Sequence, residues 1–189
     1  MSGRKGDWMQ LHSGTQFWPE DPRAEEIRLG DIAHALSNMC RFGGHCRSFY
    51  SVAQHSVMVS VEAERAASVD KTLVAIIGLL HDATEAYLVD VPRPIKRNLH
   101  GYKPMEELLA RVIGERFGIE LHQLPQLVEE ADERALFTEK RDLLGPAPAP
   151  WGVAQGVSSE PYEHRIVPAS PVEAKRMFID RACELGLEP

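Results

Sequence analysis

The chain has few cysteines and no long hydrophobic run, and each absence excludes a class of protein. Its three cysteines are an odd number, and the spacing of Cys40 and Cys46 does not match a zinc knuckle. We therefore expect reduced thiols, as in a cytoplasmic protein. The longest strongly apolar run covers only residues 73–80, whereas a membrane-spanning helix needs about 20 apolar residues. The N-terminal residues lack the apolar stretch of a secretion signal, so we expect a cytoplasmic protein without membrane partners.

An excess of positive charge is also absent. The 21 lysines and arginines are outnumbered by 28 aspartates and glutamates, which gives a net charge of −7 at pH 7. Because binding to duplex nucleic acid depends on clustered cations, this charge argues against a nucleic-acid partner. A small anionic substrate is still compatible with the sequence where a local group of cations exists. The composition, with 43% hydrophobic and 26% charged residues, is typical of a globular protein.

Alternating strand patterns are missing, and helical periodicity predicts an all-α fold. The spacing of Ile32, Ala35, Leu36 and Met39 gives one apolar face to a helix that begins at about Asp31. Further helices are predicted, with approximate bounds, over residues 51–66, 71–87, 105–117, 124–144 and 171–185.

The helix predicted over residues 71–87 is apolar almost until its end, so it should be the buried central helix. Residues 145–152 are rich in proline and glycine, which predicts a surface loop. We expect a single domain over residues 1–189, with a helical core at about 31–144 and a loop and closing helix over 145–189.

Three ionisable side chains, His81, Asp82 and Glu85, follow the apolar part of this central helix. Residues three and four apart share one face of a helix, so these side chains can address a single cavity. Their burial would cost several kcal/mol unless a metal ion or a dense hydrogen-bond network compensated it. His55 lies on the core-facing stripe of the preceding helix, and Asp132 shares the apolar face of a later one. Solvated charges on helix surfaces are the alternative explanation.

His55, the pair His81 and Asp82, and Asp132, taken in this order, resemble the signature of the HD-domain phosphohydrolase superfamily. In that superfamily a His, a His-Asp pair and a distant Asp from separate helices surround one divalent metal ion. The resemblance covers residues 31–144 and implies a helical bundle with a central buried metal site held by these four residues. Such ligands suit Zn²⁺, Co²⁺, Mn²⁺, Fe²⁺ or Ni²⁺, and the lack of thiolates favours a catalytic site. Mg²⁺ could accompany the phosphates of a substrate.

The stretch over residues 81–96 resembles one branch of the superfamily, the bacterial 5′-deoxynucleotidases and the viral dATP triphosphohydrolases. That resemblance implies that Glu85 orients or deprotonates the attacking water, with the metal ligand Asp82 as the second catalytic carboxylate. It also implies that Asp90 contacts the deoxyribose and that Lys96 contacts a phosphate.

An arginine followed by an aromatic residue lines the substrate pocket in the same branch, and Arg41 and Phe42 match that pair. Arg41 and Lys96 would supply the positive charge that an acidic protein needs to hold a polyanion. The expected function is metal-dependent hydrolysis of deoxynucleotides to a nucleoside and phosphate or triphosphate. Deoxyadenine nucleotides are the first expectation, with dATP as the main substrate and dADP and dAMP as further ones.

Three alternatives stay open. They are a 5′-deoxynucleotidase of broad specificity for deoxynucleoside monophosphates, a guanosine-alarmone hydrolase, and a non-catalytic nucleotide-binding module. A complete ligand set beside Glu85 argues against the last of these. The resemblance also implies a homo-oligomer, located in the cytoplasm of a bacterium or of a virus-infected host cell.

Overall fold

The computed structural model describes residues 3–152 and 160–188. Helices dominate this part of the chain, which confirms the all-α prediction, and its strands are only two residues long. The helices are α1 (Leu29–Asn38), α2 (Val52–Ala66), α3 (Lys71–Leu80), α4 (Glu85–Leu88), α5 (Arg93–Lys96), α6 (Tyr102–Phe117), α7 (Gln126–Leu143) and α8 (Pro171–Glu184). Short 3₁₀ helices cover Ala24–Glu26 and Arg41–Gly44.

A small antiparallel hairpin precedes the helices, with β1 over Met9–Gln10 and β2 over Gln16–Phe17. The sequence analysis missed it because strands of two residues are too short to show an alternating pattern. Phe17 is fully buried, and the centroid of its ring lies 4.4 Å from that of Tyr87. The N-terminal segment is thereby attached to the helical core.

Helix α2 lies at the centre of the fold and packs against α1, α3, α7 and α8. Ser51 caps its N-terminus by accepting a hydrogen bond from the Gln54 backbone N–H over 3.1 Å. Gly78 of α3 meets α2 so closely that an added Cβ would lie 3.0 Å from the Cα of Ser60. Ser60 also donates a 2.8 Å hydrogen bond to the Ala75 carbonyl of α3. These contacts hold α2 and α3 side by side.

The predicted continuous helix over residues 71–87 is interrupted. Helix α3 ends at Leu80 and α4 begins at Glu85, with turns between them. In these turns the backbone N–H groups of Ala83 and Glu85 bond to the carbonyls of Leu80 and Asp82, three residues earlier. Such bonds wind the chain more tightly than an α-helix does. The prediction of one continuous helix was wrong because apolar residues three or four positions apart face the core in both kinds of turn. Apolar spacing therefore does not show where the α-helix gives way to tighter turns.

The sequence does not predict helix α5, because the prolines of this stretch indicate the end of the preceding helix. Pro94 occupies the first turn of α5, where proline removes no intrahelical hydrogen bond. Helix α6 likewise has Pro104 in its first turn and begins at Tyr102, earlier than predicted.

Helix α8 packs against α1 and α2 and begins with a capping box between Ser170 and Glu173. Residues 145–152 form an irregular and mostly exposed segment, as predicted. Residues 153–159, which belong to the wider predicted region 145–189, lie outside the described residues, as do residues 1–2 and 189. Within the described ranges, no helix combines the length and hydrophobicity needed to cross a bilayer.

Candidate metal centre

Three side chains from separate parts of the fold direct one donor atom each toward a common point. His55 lies on α2, His81 directly follows α3, and Asp132 lies on α7. Nε2 of His55 is 3.3 Å from Nε2 of His81 and 3.2 Å from Oδ1 of Asp132, and the remaining distance is 3.9 Å. Donors at about 2.1 Å from one ion lie about 3.0–3.4 Å apart. The three residues could therefore hold a metal ion.

Hydrogen bonds on the far side of each ring turn both histidines toward this point. Nδ1 of His55 donates a 2.6 Å hydrogen bond to Oε1 of Glu139, and Nδ1 of His81 donates a 2.8 Å hydrogen bond to the Gly78 carbonyl. Because Nδ1 carries the proton in each ring, the lone pair of the neutral imidazole lies on Nε2. Two such lone pairs at 3.3 Å repel each other unless a cation or a proton lies between them.

Asp82 borders this group of three. Its Oδ2 lies 3.3 Å from Nε2 of His81, 3.6 Å from Nε2 of His55 and 3.4 Å from Nη1 of Arg41. Burial disfavours the charged form, but His81 and His55 outweigh it and hold the pKa of Asp82 far below its ordinary range. For Asp132, the hydrogen bond from His55 likewise outweighs burial and lowers the pKa to about 2. Both carboxylates are ionised at neutral pH, as metal ligands must be.

Burial also opposes the charged form of both histidines. Despite this effect of burial, Glu139 and Asp132 raise the pKa of His55 to about 9. Asp82 acts in the same way on His81, whose pKa is raised as well. A metal ion that enters this group must therefore displace protons from the imidazoles.

These side chains lie at a cavity of about 900 Å³, a size typical of small-molecule sites. His55 is fully buried beneath it. The other residues predicted for the site all line the cavity: Arg41, Phe42, His81, Asp82, Glu85, Asp90, Lys96 and Asp132. The fold thus brings together all the side chains to which the sequence analysis gave a role, while the roles themselves remain predictions.

Glu85 is a buried carboxyl group on the cavity wall, with 6% of its surface exposed. Its Oε2 has no hydrogen-bond partner in the part of the chain that the structure describes. Burial, followed by the neighbouring Asp82 and Asp90, raises the pKa of Glu85 well above its ordinary value. A buried polar oxygen without a partner is costly, so this atom indicates a polar group supplied from outside the chain.

Two residues at or beside the cavity have backbone angles that are rare for residues with a side chain. Phe42 has φ 57° and ψ 28°, and Val89 has φ 61° and ψ 156°. Such conformations cost about 1–3 kcal/mol each and persist only where the surroundings enforce them. Tyr102 supports the second by donating a 3.1 Å hydrogen bond to the Val89 carbonyl. The strained residue directly precedes Asp90 and so determines where that carboxyl group enters the cavity.

Glu139 of α7 is a site residue that the sequence analysis missed. It is fully buried, and its Oε2 accepts hydrogen bonds from Nε and Nη2 of Arg41 at 3.2 and 3.1 Å. The adjacent Lys140 and Arg141 give this stretch the composition of a solvated helix face. Its position seven residues after Asp132 is the signal that could have found it, because residues seven apart share one face of a helix.

Cations around the cavity are paired with carboxylates. Arg93 lies 3.2 Å from Glu133 and 3.5 Å from Oδ2 of Asp132, and Lys96 forms an ion pair with Glu106. Neither Glu106 nor Glu133 had a role in the sequence analysis, because both belong to charged stretches in which acidic residues are frequent.

Trp151 is a further cavity residue, for which the sequence favours only a general role as a packing residue or a lid. Its ring centroid lies 6.2 Å from that of Phe42, and Nζ of Lys140 lies 5.1 Å from the indole ring. The residue follows the proline-rich segment, where no periodicity connects it with the helices, so no pattern could have placed it.

No protein-family model matches the chain. Its sequence is 37% identical to the uncharacterized protein YfdR of Escherichia coli (strain K12) over 179 residues, which cover 95% of this chain and 96% of YfdR. The chain belongs to the YfdR family. The uncharacterized protein RCAP_rcc00048 of Rhodobacter capsulatus is 29% identical over 177 residues, which cover 92% of this chain and 80% of that protein. The names of these relatives state no activity.

Proposed function

We propose that this member of the YfdR family is a divalent-metal-dependent phosphohydrolase that releases nucleosides from deoxynucleotides. The observation that carries the proposal is the convergence of Nε2 of His55 and Nε2 of His81 at 3.3 Å beside Asp132. In support, the order of these residues in the chain resembles the HD-domain signature. The cavity also contains two groups that phosphate hydrolysis needs besides a metal ion. Arg41 supplies a positive charge, and Glu85 supplies a carboxyl oxygen without a hydrogen-bond partner among the described residues.

A divalent ion held by His55, His81 and Asp132, with Asp82 beside them, would act as a Lewis acid on a phosphoryl oxygen and lower the pKa of a water molecule. Oε2 of Glu85 is the atom that would orient the attacking water and accept its proton. The raised pKa of Glu85 makes it a stronger base than an ordinary carboxylate, which suits this role. The water oxygen bonds to the α-phosphorus, the bond to the 5′ oxygen breaks, and that oxygen takes up a proton as the nucleoside leaves.

Arg41 is the cation best placed to meet a phosphate group. Glu139 occupies its Nε and Nη2, so that Nη1, which lies 3.4 Å from Asp82, is the nitrogen closest to the candidate metal ligands. Lys96 would contribute a second positive charge at the cavity wall. Together they would offset the many carboxylates of the cavity when a polyanion binds.

Asp90 and Phe42 would recognise the nucleoside part. Burial raises the pKa of Asp90, and its carboxyl group is available for a hydrogen bond with the 3′-hydroxyl of the sugar. Phe42 and the neighbouring Trp151 would provide apolar surface for the base. The preference for deoxyadenine nucleotides, with dATP first, follows from the resemblance to the viral branch.

A 5′-deoxynucleotidase of broad specificity is the second candidate, and the ion pairs of the cavity favour it. Because its described lysines and arginines already have carboxylate partners, little uncompensated charge is left for three phosphate groups. These pairs are Arg41 with Glu139, Arg93 with Glu133, Lys96 with Glu106 and Lys103 with Glu107.

Product analysis tests both candidates. The protein is stripped with a chelator, reloaded with Mn²⁺, Co²⁺, Zn²⁺, Fe²⁺ or Ni²⁺, and incubated with the four dNTPs and the four dNMPs, with and without Mg²⁺. We expect chromatography to show nucleoside and intact triphosphate from dATP. Nucleoside from monophosphates alone would establish the second candidate instead. The variant Glu85→Gln, tested at equal metal content, controls for contaminating phosphatases because it should release nucleoside at least about 100 times more slowly. Inactivity toward all eight nucleotides with every metal would overturn the proposal in favour of an alarmone hydrolase or a binding module.

A further inference from the structure

Glu139 divides its two oxygen atoms between two parts of the cavity. Oε1 accepts the 2.6 Å hydrogen bond from Nδ1 of His55, whose Nε2 faces the candidate metal position. Oε2 accepts from Nε and Nη2 of Arg41. These partners lie 84 and 98 residues before Glu139 in the sequence, so a carboxylate of α7 connects α2 with the 3₁₀ helix at Arg41–Gly44.

The burial of Glu139 is complete, and 11% of the Arg41 side chain is exposed. A carboxylate in such surroundings is strongly destabilising unless hydrogen bonds and opposite charge compensate it. Hydrophobic residues of similar volume would often stabilise a fold as well or better. The arrangement therefore indicates a requirement of the site rather than of the fold alone.

We infer that Glu139 is a positioning residue that sets the geometry of the metal ligand His55 and of the substrate-binding Arg41 at the same time. Its effect on His55 stands on geometry alone, whereas its effect on the substrate rests on the proposed function.

The inference follows from what each hydrogen bond fixes. On His55, the carboxylate keeps the proton on Nδ1 and turns the lone pair of Nε2 toward His81 and Asp132. On Arg41, Nε and Nη2 both donate to the single atom Oε2, which restrains rotation of the guanidinium and leaves Nη1 toward Asp82 at the cavity. Because Asp132 and Glu139 belong to one helix, a metal ligand and the residue that orients a second metal ligand move together.

The substitution Glu139→Gln separates the two functions of the carboxylate. Glutamine has the same size, but only one of its terminal atoms accepts hydrogen bonds, so it cannot serve His55 and Arg41 together. Asp142→Asn is the matched control. Asp142 lies three residues further along α7, has 5% of its side chain exposed and pairs with Arg165, which does not line the cavity.

Co²⁺ binding to the chelator-treated protein, followed by its visible absorption and by calorimetry, is the first measurement. Loss of a hydrogen-bond partner of a metal-ligating histidine typically weakens metal binding 10- to 100-fold. We expect a loss in that range for Glu139→Gln, with an altered Co²⁺ spectrum, and less than a twofold change for Asp142→Asn. An unchanged dissociation constant for Glu139→Gln would overturn the inference, as would an equal loss in both variants.

The second measurement concerns the substrate. At saturating metal, we expect Glu139→Gln to raise KM for the best nucleotide by about tenfold or more, because Arg41 loses its orientation. If no nucleotide is turned over by the unmodified protein, the proposed function fails while the Co²⁺ result still decides the role of Glu139. If Glu139→Gln does not fold, Glu139→Asp replaces it, since this variant retains the charge and shortens its reach. Unchanged Co²⁺ binding by a folded Glu139→Asp would also overturn the inference.

Discussion

The imidazole rings of His55 and His81 are inclined by 55° with their centroids 5.2 Å apart, so their Nε2 atoms converge although the rings do not stack. Each ring is held from behind by a different helix, through Glu139 of α7 and the Gly78 carbonyl of α3. The distance between the two nitrogens is therefore determined by helix packing and not by free rotation of the side chains. Together with Asp132, such a pair could hold a metal ion.

Metal loading is expected to raise thermal stability. An ion at 100 times its Kd stabilises the folded state by about 2.7 kcal/mol, which corresponds to a rise in Tm of about 5–11 °C for a chain of this size. Scanning calorimetry of chelator-treated protein with added Co²⁺, Mn²⁺ or Zn²⁺ measures the rise. His81→Ala should abolish it, whereas His34→Ala should retain it, because His34 stacks on His12 away from the cavity. A metal-dependent rise that survives in His81→Ala would contradict the assignment of the site.

Glu85→Gln is expected to separate turnover from stability. Loss of the proton acceptor should lower kcat at least about 100-fold while metal binding persists. The raised pKa of Glu85 means that its ionisation opposes folding, and the resulting loss of stability grows as pH rises above the unfolded value of about 4.3. The metal-free variant should therefore have a higher free energy of unfolding than the unmodified protein at pH 7, and the gain should shrink as pH falls toward about 4.

Denaturant titration and steady-state kinetics check the two parts of this prediction. Glu115→Gln is the control, because Glu115 is an exposed residue of α6 that does not line the cavity. A normal kcat for Glu85→Gln would show that Glu85 takes no part in catalysis. Reduced stability of the variant would show that Glu85 has a structural role.

Lys96 and Glu106 should have opposite effects on substrate affinity. Lys96→Met removes a positive charge from the cavity, so KM for the best nucleotide should rise by about 3- to 10-fold. Glu106→Gln removes the ion-pair partner of Lys96 and frees its ammonium group for phosphate, so KM should fall by about two- to fivefold. Initial-rate kinetics at 0.05 and 0.3 M salt measure both effects, which salt should weaken. Changes of the same sign in both variants would show that Lys96 does not contact the phosphate.

The ion pairs of Asp142 predict a pH-dependent contribution to stability. Arg141, together with the Ile166 backbone N–H and Arg165, outweighs burial and keeps the pKa of Asp142 well below its ordinary range. Because the folded pKa is depressed, this stabilisation is fully present above the unfolded pKa of about 3.9 and is lost as pH falls through the folded value. Asp142→Asn should lower the free energy of unfolding by about 1–3 kcal/mol at pH 7.

Urea titrations at pH 7 and at pH 3 measure this contribution. The difference between the variant and the unmodified protein should narrow at pH 3, because the unfolded chain binds the proton there while the native carboxylate is still ionised. A difference that stays constant between the two pH values would indicate that hydrogen-bond geometry, and not charge, accounts for the loss.

The sequence was sufficient to predict those helices and site residues that their own local sequence determines. The apolar spacing alone predicted α2, and the helix predicted over residues 171–185 corresponds to α8, which Ser170 caps. His55 and Asp132 could be chosen because each polar residue interrupts an apolar helix face. Such an interruption is visible without knowledge of the neighbouring helices.

What the sequence could not provide depends on contacts between distant segments. The role of Glu139 requires Arg41 and His55 beside it, and nothing in its own neighbourhood indicates burial. The turns between α3 and α4 leave the apolar spacing intact, so periodicity alone could not detect them. The strained angles at Val89 depend on the hydrogen bond from Tyr102, which belongs to a different helix.

Gly78 affects the position of His81 as well as the packing of α3 against α2. It lies one turn before His81, and its carbonyl orients that imidazole while its missing side chain lets α3 approach Ser60. Any larger residue would press against the backbone of α2, and the separation of the helices would carry His81 away from His55. The size of an ion that this group could hold would thus depend on interhelical spacing, and selectivity among divalent metals would be encoded at a position that does not contact the metal.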